Sequence, residues 1–149
     1  MGERLSLSVD VDASAEQTWA AVTDWVGQEQ WMLGTTVAVT GGDGASVGST
    51  LAARTGAGPL GFLDTMTITA WEPPHACAVR HTGRVVRGTG EFRVVPLAPD
   101  RSTFTWSEEL ELPLGAAGRA GWPVVRPLFL AGVRRSLASF AAWVPTRPG

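Results

Sequence analysis

The stretch RAGWPVVRPLFLAGVRRSLASFAAWV, Arg119 to Val144, decides how the rest of the chain must fold. Within it Val125, Phe129, Val133, Leu137, Phe140 and Val144 recur at steps of three and four, and a 3.6-residue period gathers them into one stripe. Arg126, Arg134 and Arg135 take the opposite face. The pattern predicts one long amphipathic helix. Pro123, two residues after Gly121, falls where a missing N–H costs little at a helix start, whereas Pro127 lies inside the pattern and is expected to kink or restart the helix. Such a stripe must be buried against something broad. In a chain whose middle is strand-like, that partner is the face of a sheet.

Upstream, the chain supplies the sheet. Leu5, Leu7, Val9 and Val11 alternate with Ser6, Ser8 and Asp10, the period-two pattern of a half-buried strand. Ser14 follows as a helix N-cap with Gln17 completing a capping box, and Ala15, Trp19, Val22 and Val26 form the buried stripe of a short helix ended by Gly27. Gln28 to Leu33 reads as a second short helix, making a V with the first, before Gly34 breaks it. From there to Pro113 the pattern is β: Thr35 to Thr40, Val47 to Thr55, Phe62 to Trp71, Ala76 to Thr82, Val85 to Leu97 and Arg101 to Leu112. Short turns between these runs favour an antiparallel meander that curls enough to have a concave side. The tail, Pro145 to Gly149, is expected to fray.

Parity then says which side chains look inward. On the last strand Phe104, Trp106, Leu110 and Leu112 share a face, and Glu108 falls among them. Val86, Gly88, Gly90, Phe92 and Val94 face inward on the strand before, the two glycines leaving space where side chains would be. Met66, Ile68 and Ala70 follow Asp64 on an earlier strand, and Cys77, Val79 and His81 form the inward set of another, with His75 in the same parity. Trp19 and Trp143 fit helix packing; Trp31 and Trp106 fit the walls of a cavity. With Phe129 and Val133 from the long helix, the expected lining is Trp31, Asp64, Met66, Ile68, Cys77, Val79, His81, Phe92, Trp106 and Glu108.

Composition narrows the functional classes. At 149 residues the chain fits one domain with its core over about residues 5–144, large enough to fold without metal or disulfide staples. The formal net charge is −2 with no basic cluster, so the footprint of a nucleic-acid binder is absent. Cys77 is the only cysteine, the N-terminus has no basic and apolar signal sequence, and no run approaches the roughly 18 apolar residues of a membrane span. A cytosolic protein without integral membrane contact is expected. All basic residues are arginine, and Lys, Asn and Tyr do not occur. His, Cys, Ser/Thr, Asp/Glu and Arg are what remain for chemistry.

Strand, two short helices, six antiparallel strands and a long C-terminal helix is the helix-grip order of parts. The wording also resembles the SRPBCC superfamily, which includes START-like lipid carriers, polyketide cyclase/dehydrase-like proteins and Bet v 1-like proteins. The resemblance rests on VDVDASAEQTW from Val9 to Trp19, on Trp31, on Val47 to Thr50, on AWEPP from Ala70 to Pro74, on Gly90 to Phe92, and on FTWSEEL from Phe104 to Leu110. It implies an α+β fold in which a curved antiparallel seven-stranded sheet grips the last helix around a cavity for an apolar ligand. It implies no common catalytic residue.

Several local patterns carry less than they first offer. Gly44 to Gly48 matches G-x-S-x-G, but a nucleophile elbow needs a helix after it and strand-like residues follow. Gly56 to Gly61 matches G-x-G-x-x-G, again with a strand rather than a helix next, and reads as a hairpin loop. His75, Cys77 and His81 share a parity, but residues two apart on a strand sit roughly 6.6 Å apart, too far for all three to hold one ion. No metal or cofactor is expected. Cys77 reads as a small core residue. Asp64 and Arg54, near loop ends, read as solvated. His81 and Glu108 are the sharpest pair: titratable groups on a mainly apolar inward face, able to run acid–base chemistry or simply to be an ion pair at a cavity mouth.

Three functions remain open at this stage. The first is binding of a small hydrophobic molecule, lipid or polyketide-like, between sheet and helix. The second is a polyketide aromatase/cyclase-like enzyme using His81 and Glu108 as acid and base. The third is a protein-interaction module, which predicts a filled interior and an exposed apolar patch. Monomer and homodimer are equally compatible.

Overall fold

The computed structural model describes residues 2–112 and 115–148, so the expected boundary at Pro113 and the last residue, Gly149, lie outside the described residues. The elements are β1 (Gly2–Val11), α1 (Ala15–Val22), β2 (Thr35–Gly41), β3 (Thr50–Thr55), β4 (Phe62–Glu72), β5 (Ala76–Thr82), β6 (Arg87–Ala98), β7 (Arg101–Glu111) and α2 (Gly115–Trp143). Short 3-10 turns lie at Val26–Gln30, Gly58–Leu60 and Val144–Thr146. The seven strands form one antiparallel sheet ordered β1-β7-β6-β5-β4-β3-β2. This is an α+β helix-grip fold. Strands β2 to β7 are a meander, and β1 closes it by pairing along β7 from Gly2 opposite Glu111 to Val11 opposite Ser102.

Local chemistry accounts for the ends of α1. The Ser14 hydroxyl accepts from the Gln17 amide N–H at 3.1 Å, and the Gln17 side-chain oxygen accepts from the Ser14 amide at 3.0 Å. The helix stops at Val22, earlier than Gly27, because Asp24 takes over the backbone: its carboxylate accepts from the Gly27 amide at 3.0 Å. The second short helix is accordingly a 3-10 turn that begins at Val26 instead of Gln28.

Two further readings are corrected. Helix α2 starts at Gly115 and runs unbroken through both Pro123 and Pro127. The first half of α2 is mostly exposed, so water can satisfy the carbonyl that Pro127 leaves without a donor, and the helix does not have to restart there. In β4 a bulge between Ile68 and Ala70 inserts one residue, so Ala70 pairs with Ala78 and Trp71, not Ala70, falls opposite Cys77. Trp71 then packs edge-on against Trp19 at 5.1 Å between centroids. The tail is also less loose than expected. Arg147 lies over the Trp143 ring, 5.1 Å from its centroid, and bonds to Asp24 at 3.3 Å.

The core is concentrated under the second half of α2. Phe140 is fully buried, its ring 4.8 Å from both Trp31 and Phe104, and Phe92 and Trp106 complete the cluster around Trp31. Val133, Leu137 and Val144 are buried beside it. The buried Ser136 hydroxyl accepts from the Leu33 amide at 3.0 Å and ties the turn after Trp31 to the helix. Toward its N-terminus the same stripe emerges: Val125 is 51% exposed and Leu128 73%. The helix is clamped at one end and free of the sheet at the other.

Removing the Phe140 ring should therefore cost about 3–5 kcal/mol, the range for a large aromatic cut to alanine in a tight core. Urea denaturation of Phe140→Ala checks this, and a loss below about 1 kcal/mol would show that the clamp lies elsewhere.

Candidate functional site

Between the concave face of the sheet and the free half of α2 lies a cavity of about 670 Å³. Its wall is overwhelmingly apolar. Leu33, Phe62, Val85, Val125 and Leu128 line it and are themselves exposed, which marks where it opens to solvent. On the helix side Gly121 and Gly132 face it, and a Cβ added to either would meet nothing within 4 Å.

Ten of the residues expected at the wall are there: Asp64, Met66, Cys77, Val79, His81, Phe92, Trp106, Glu108, Phe129 and Val133. Trp31 and Ile68 are not. Trp31 is 3% exposed inside the aromatic cluster and Ile68 is fully buried, both in the packed half of the molecule. His75 also departs from its expected company; it is exposed and borders a separate small hollow with Glu16 and Pro96. Among the described residues no three His, Cys, Asp or Glu side chains converge as metal ligands would. The wall also includes residues that sequence reasoning missed, notably Trp25, Met32, Trp122, Val125 and Ser136. For the helix the signal was present, since Trp122, Val125, Phe129, Val133 and Ser136 continue one stripe at steps of three and four.

Among the polar residues of the wall, Asp64, His81 and Glu108 form one hydrogen-bonded constellation on the sheet. His81 of β5 is held at both ring nitrogens: Nδ1 lies 2.8 Å from Asp64 Oδ1 and Nε2 lies 2.9 Å from Glu108 Oε2. The Trp106 indole N–H donates to the other Glu108 oxygen at 3.0 Å. Asp64 is therefore not the solvated loop-end residue that its position suggested; its side chain is 15% exposed because the strand pairing turns it onto His81. Its second oxygen accepts no hydrogen bond among the described residues. The side chains of His81 and Glu108 are 4% and 13% exposed.

Glu108 reaches His81 only because of Gly90. β6 runs between β7 and β5, and Gly90 is the residue opposite Glu108. A Cβ there would lie 2.8 Å from the Glu108 carboxylate oxygen, in the space the carboxylate now fills. Gly88, with φ +113°, is likewise required by close approach, since its Cβ would collide with the Glu109 carbonyl. The sheet glycines thus admit Glu108 and the β7 backbone, whereas the open space of the cavity lies against glycines of α2.

Charge follows from this geometry. Burial, the largest single influence on His81, would lower its pKa, but its hydrogen bonds to Asp64 and Glu108 and their two negative charges together raise it to about 10. At neutral pH the ring is an imidazolium donating from both nitrogens. Cys77, in the same wall, has its thiol pushed up to about 12 by burial, so it stands there as a neutral apolar group.

Residues 3–144 match the family described as "Polyketide cyclase / dehydrase and lipid transport". The chain belongs to that family. Solved structures of the same fold include the Zhui aromatase/cyclase from Streptomyces sp. R1128, at TM-score 0.82 and 14% identity over 99% of this chain and 96% of that one. A START superfamily protein from Mycobacterium smegmatis superposes at TM-score 0.78 with 18% identity, covering 96% of this family member and 97% of that chain. Norcoclaurine synthase from Thalictrum flavum, in complex with dopamine and hydroxybenzaldehyde, gives TM-score 0.70 and 17% identity over 100% and 90%. No curated protein matches the chain significantly. At these identities the likeness is one of fold.

The raised pKa makes a signed prediction. Because His81 binds its proton more tightly folded than unfolded, its stabilising contribution is complete below about pH 6.5 and is lost as pH rises toward 10. NMR of the imidazole nitrogens should show the cation at pH 8 and titration near 10. In Gly90→Ala the displaced Glu108 should bring that midpoint down; an unchanged midpoint would show that Glu108 does not hold the proton.

Proposed function

We propose that this family member binds a small, largely apolar organic molecule in the cavity, with the Asp64–His81–Glu108 constellation orienting the ligand's polar group. The observation that carries the reading is the 670 Å³, mainly apolar space with a hydrogen-bonded polar constellation on its wall, within the 300–1,000 Å³ range of small-molecule sites. Burial of apolar ligand surface would supply the affinity, at about 25 cal/mol per Å² before ordering costs. The interaction-module reading is weaker, because it required a filled interior. The family's lipid-transport description and the aromatase/cyclase fold are both compatible with this cavity.

Gly132 provides the test, because a side chain there grows into open space while a helix gains from losing glycine. Gly132→Leu should keep or raise the melting temperature and weaken binding of the neutral fluorescent probe N-phenyl-1-naphthylamine at least tenfold. Undiminished binding by the folded variant would place the ligand elsewhere.

A second reading, turnover by proton transfer, is supported by the uncapped oxygen of Asp64 at the wall. The geometry reassigns the roles first imagined. His81 has no free nitrogen with which to take or give a proton, so the free oxygen of Asp64 would be the base that takes the substrate's α-proton, exchanges it with solvent and returns it, while the imidazolium holds the carboxylate in place. On this reading the protein accelerates deuterium uptake at the α-carbon of 2-tetralone in heavy water, and Asp64→Asn abolishes the acceleration. Exchange no faster than in buffer would leave binding alone.

A further inference from the structure

The cavity's apolar surface explains why a hydrophobic molecule would enter, but its charge says more about which one. Asp64, His81 and Glu108 carry an overall charge of −1 wherever the two protons of the imidazolium sit along its two hydrogen bonds, because moving a proton from ring to carboxylate changes neither the number of groups nor the number of protons. Among the described residues, the other charged groups on the wall are Arg87, Glu91 and Glu111. Arg87 is already opposite Glu111 at 3.6 Å, and both are more than half exposed near the opening; Glu91 is engaged by Arg93 at 3.1 Å. Among the described residues, no group on the wall therefore balances the inner negative charge. In an apolar surround an unbalanced charge is costly, and water or a ligand must supply the complement.

We infer that the molecule bound here is an apolar amine, its protonated nitrogen placed against Asp64 and its hydrocarbon or aromatic body filling the space under α2. The inference rests on the binding function proposed above and narrows it to a ligand class. Asp64 is the contact, since its second oxygen is free and its first is fixed by His81 at 2.8 Å. Glu108 is the supporting charge, both of its oxygens being occupied by His81 and Trp106. An ammonium donates up to three hydrogen bonds and restores neutrality at the wall. A neutral alcohol of the same shape gains the apolar burial without the charge. A carboxylate brings a second negative charge into the same space and is repelled.

The test uses the full chain and three ligands of one shape: 2-(2-naphthyl)ethylamine, 2-(2-naphthyl)ethanol and 2-naphthylacetate, titrated calorimetrically at pH 6.5. The amine should bind at least tenfold tighter than the alcohol, and the acetate weakest. In Asp64→Asn, which keeps an acceptor for His81, the amine's advantage over the alcohol should fall to less than twofold. Glu108→Gln provides the second variant should Asp64→Asn not fold, and the advantage should shrink there too. Equal binding of amine and alcohol by the native protein, or an advantage that survives in a folded variant, overturns the amine assignment and leaves the cavity reading standing. Absence of binding by all three, together with no uptake of N-phenyl-1-naphthylamine, overturns both.

Discussion

The ring of Phe140 sits 4.8 Å from those of Trp31 and Phe104, and this contact fixes how far from the sheet the rest of α2 can stand. The three rings come from α2, from the turn after α1 and from β7, so one cluster pins helix, connection and sheet together. A helix is stiff over this length. Clamped at Phe140, Leu137 and Val133, it continues for more than four turns toward Gly115 at about 1.5 Å per residue, over a sheet that curves away beneath it. The cavity is what that divergence leaves. Its size depends on side chains that are missing from the helix, Gly121 and Gly132, more than on any that are missing from the sheet.

The same molecule is thus dry and close-packed at one end and open at the other, and its aromatic residues divide accordingly. Trp31, Phe104 and Phe140 fill the packed end; Trp25, Trp106, Trp122 and Phe129 give surface to the open end. Phe92 and Trp106 belong to both, packing on Trp31 with one edge and lining the cavity with the other. Trp106 thus joins the two regions, its ring packed on Trp31 and its indole N–H donated to the Glu108 carboxylate.

Sequence alone carried most of the fold, and the reason lies in period. The alternation of β1 and β7 and the stripe from Phe129 to Val144 are long, regular signals, and short turns left the meander few alternatives. What escaped were local events that break a period or replace it. A single extra residue in β4 reversed parity at Ala70 and Trp71, Asp24 ended α1 before its glycine, and exposure let Pro127 remain inside a continuous helix. Parity brought His81 and Glu108 to one face, but it could not say that they touch, because they lie on strands separated by β6 and meet only through the gap at Gly90. Asp64 was misjudged for a related reason. Nearness to a loop end in sequence says little about a carboxylate that the strand register turns onto a buried imidazole. Trp31 was misplaced because parity has no hold on the residue that follows the Val26–Gln30 turn.

Packing does not account for the charged constellation. Val79 and Phe92 occupy neighbouring positions on the same concave face, so the fold accommodates apolar side chains there, and replacing a buried ion pair by apolar groups is often neutral or stabilising. The groups also lie away from the cluster that clamps α2, on the wall of the open half. Their arrangement is nonetheless tightly specified. Three strands each contribute one member, a glycine on the fourth clears the path, and an indole N–H fixes the last carboxylate oxygen. Such specification fixes both the sign of the charge and the direction in which Asp64 presents its free oxygen. Those two properties have no effect on how the sheet meets the helix, but they decide what polar group can rest against the wall. The physical meaning of the constellation is therefore found in the space it faces.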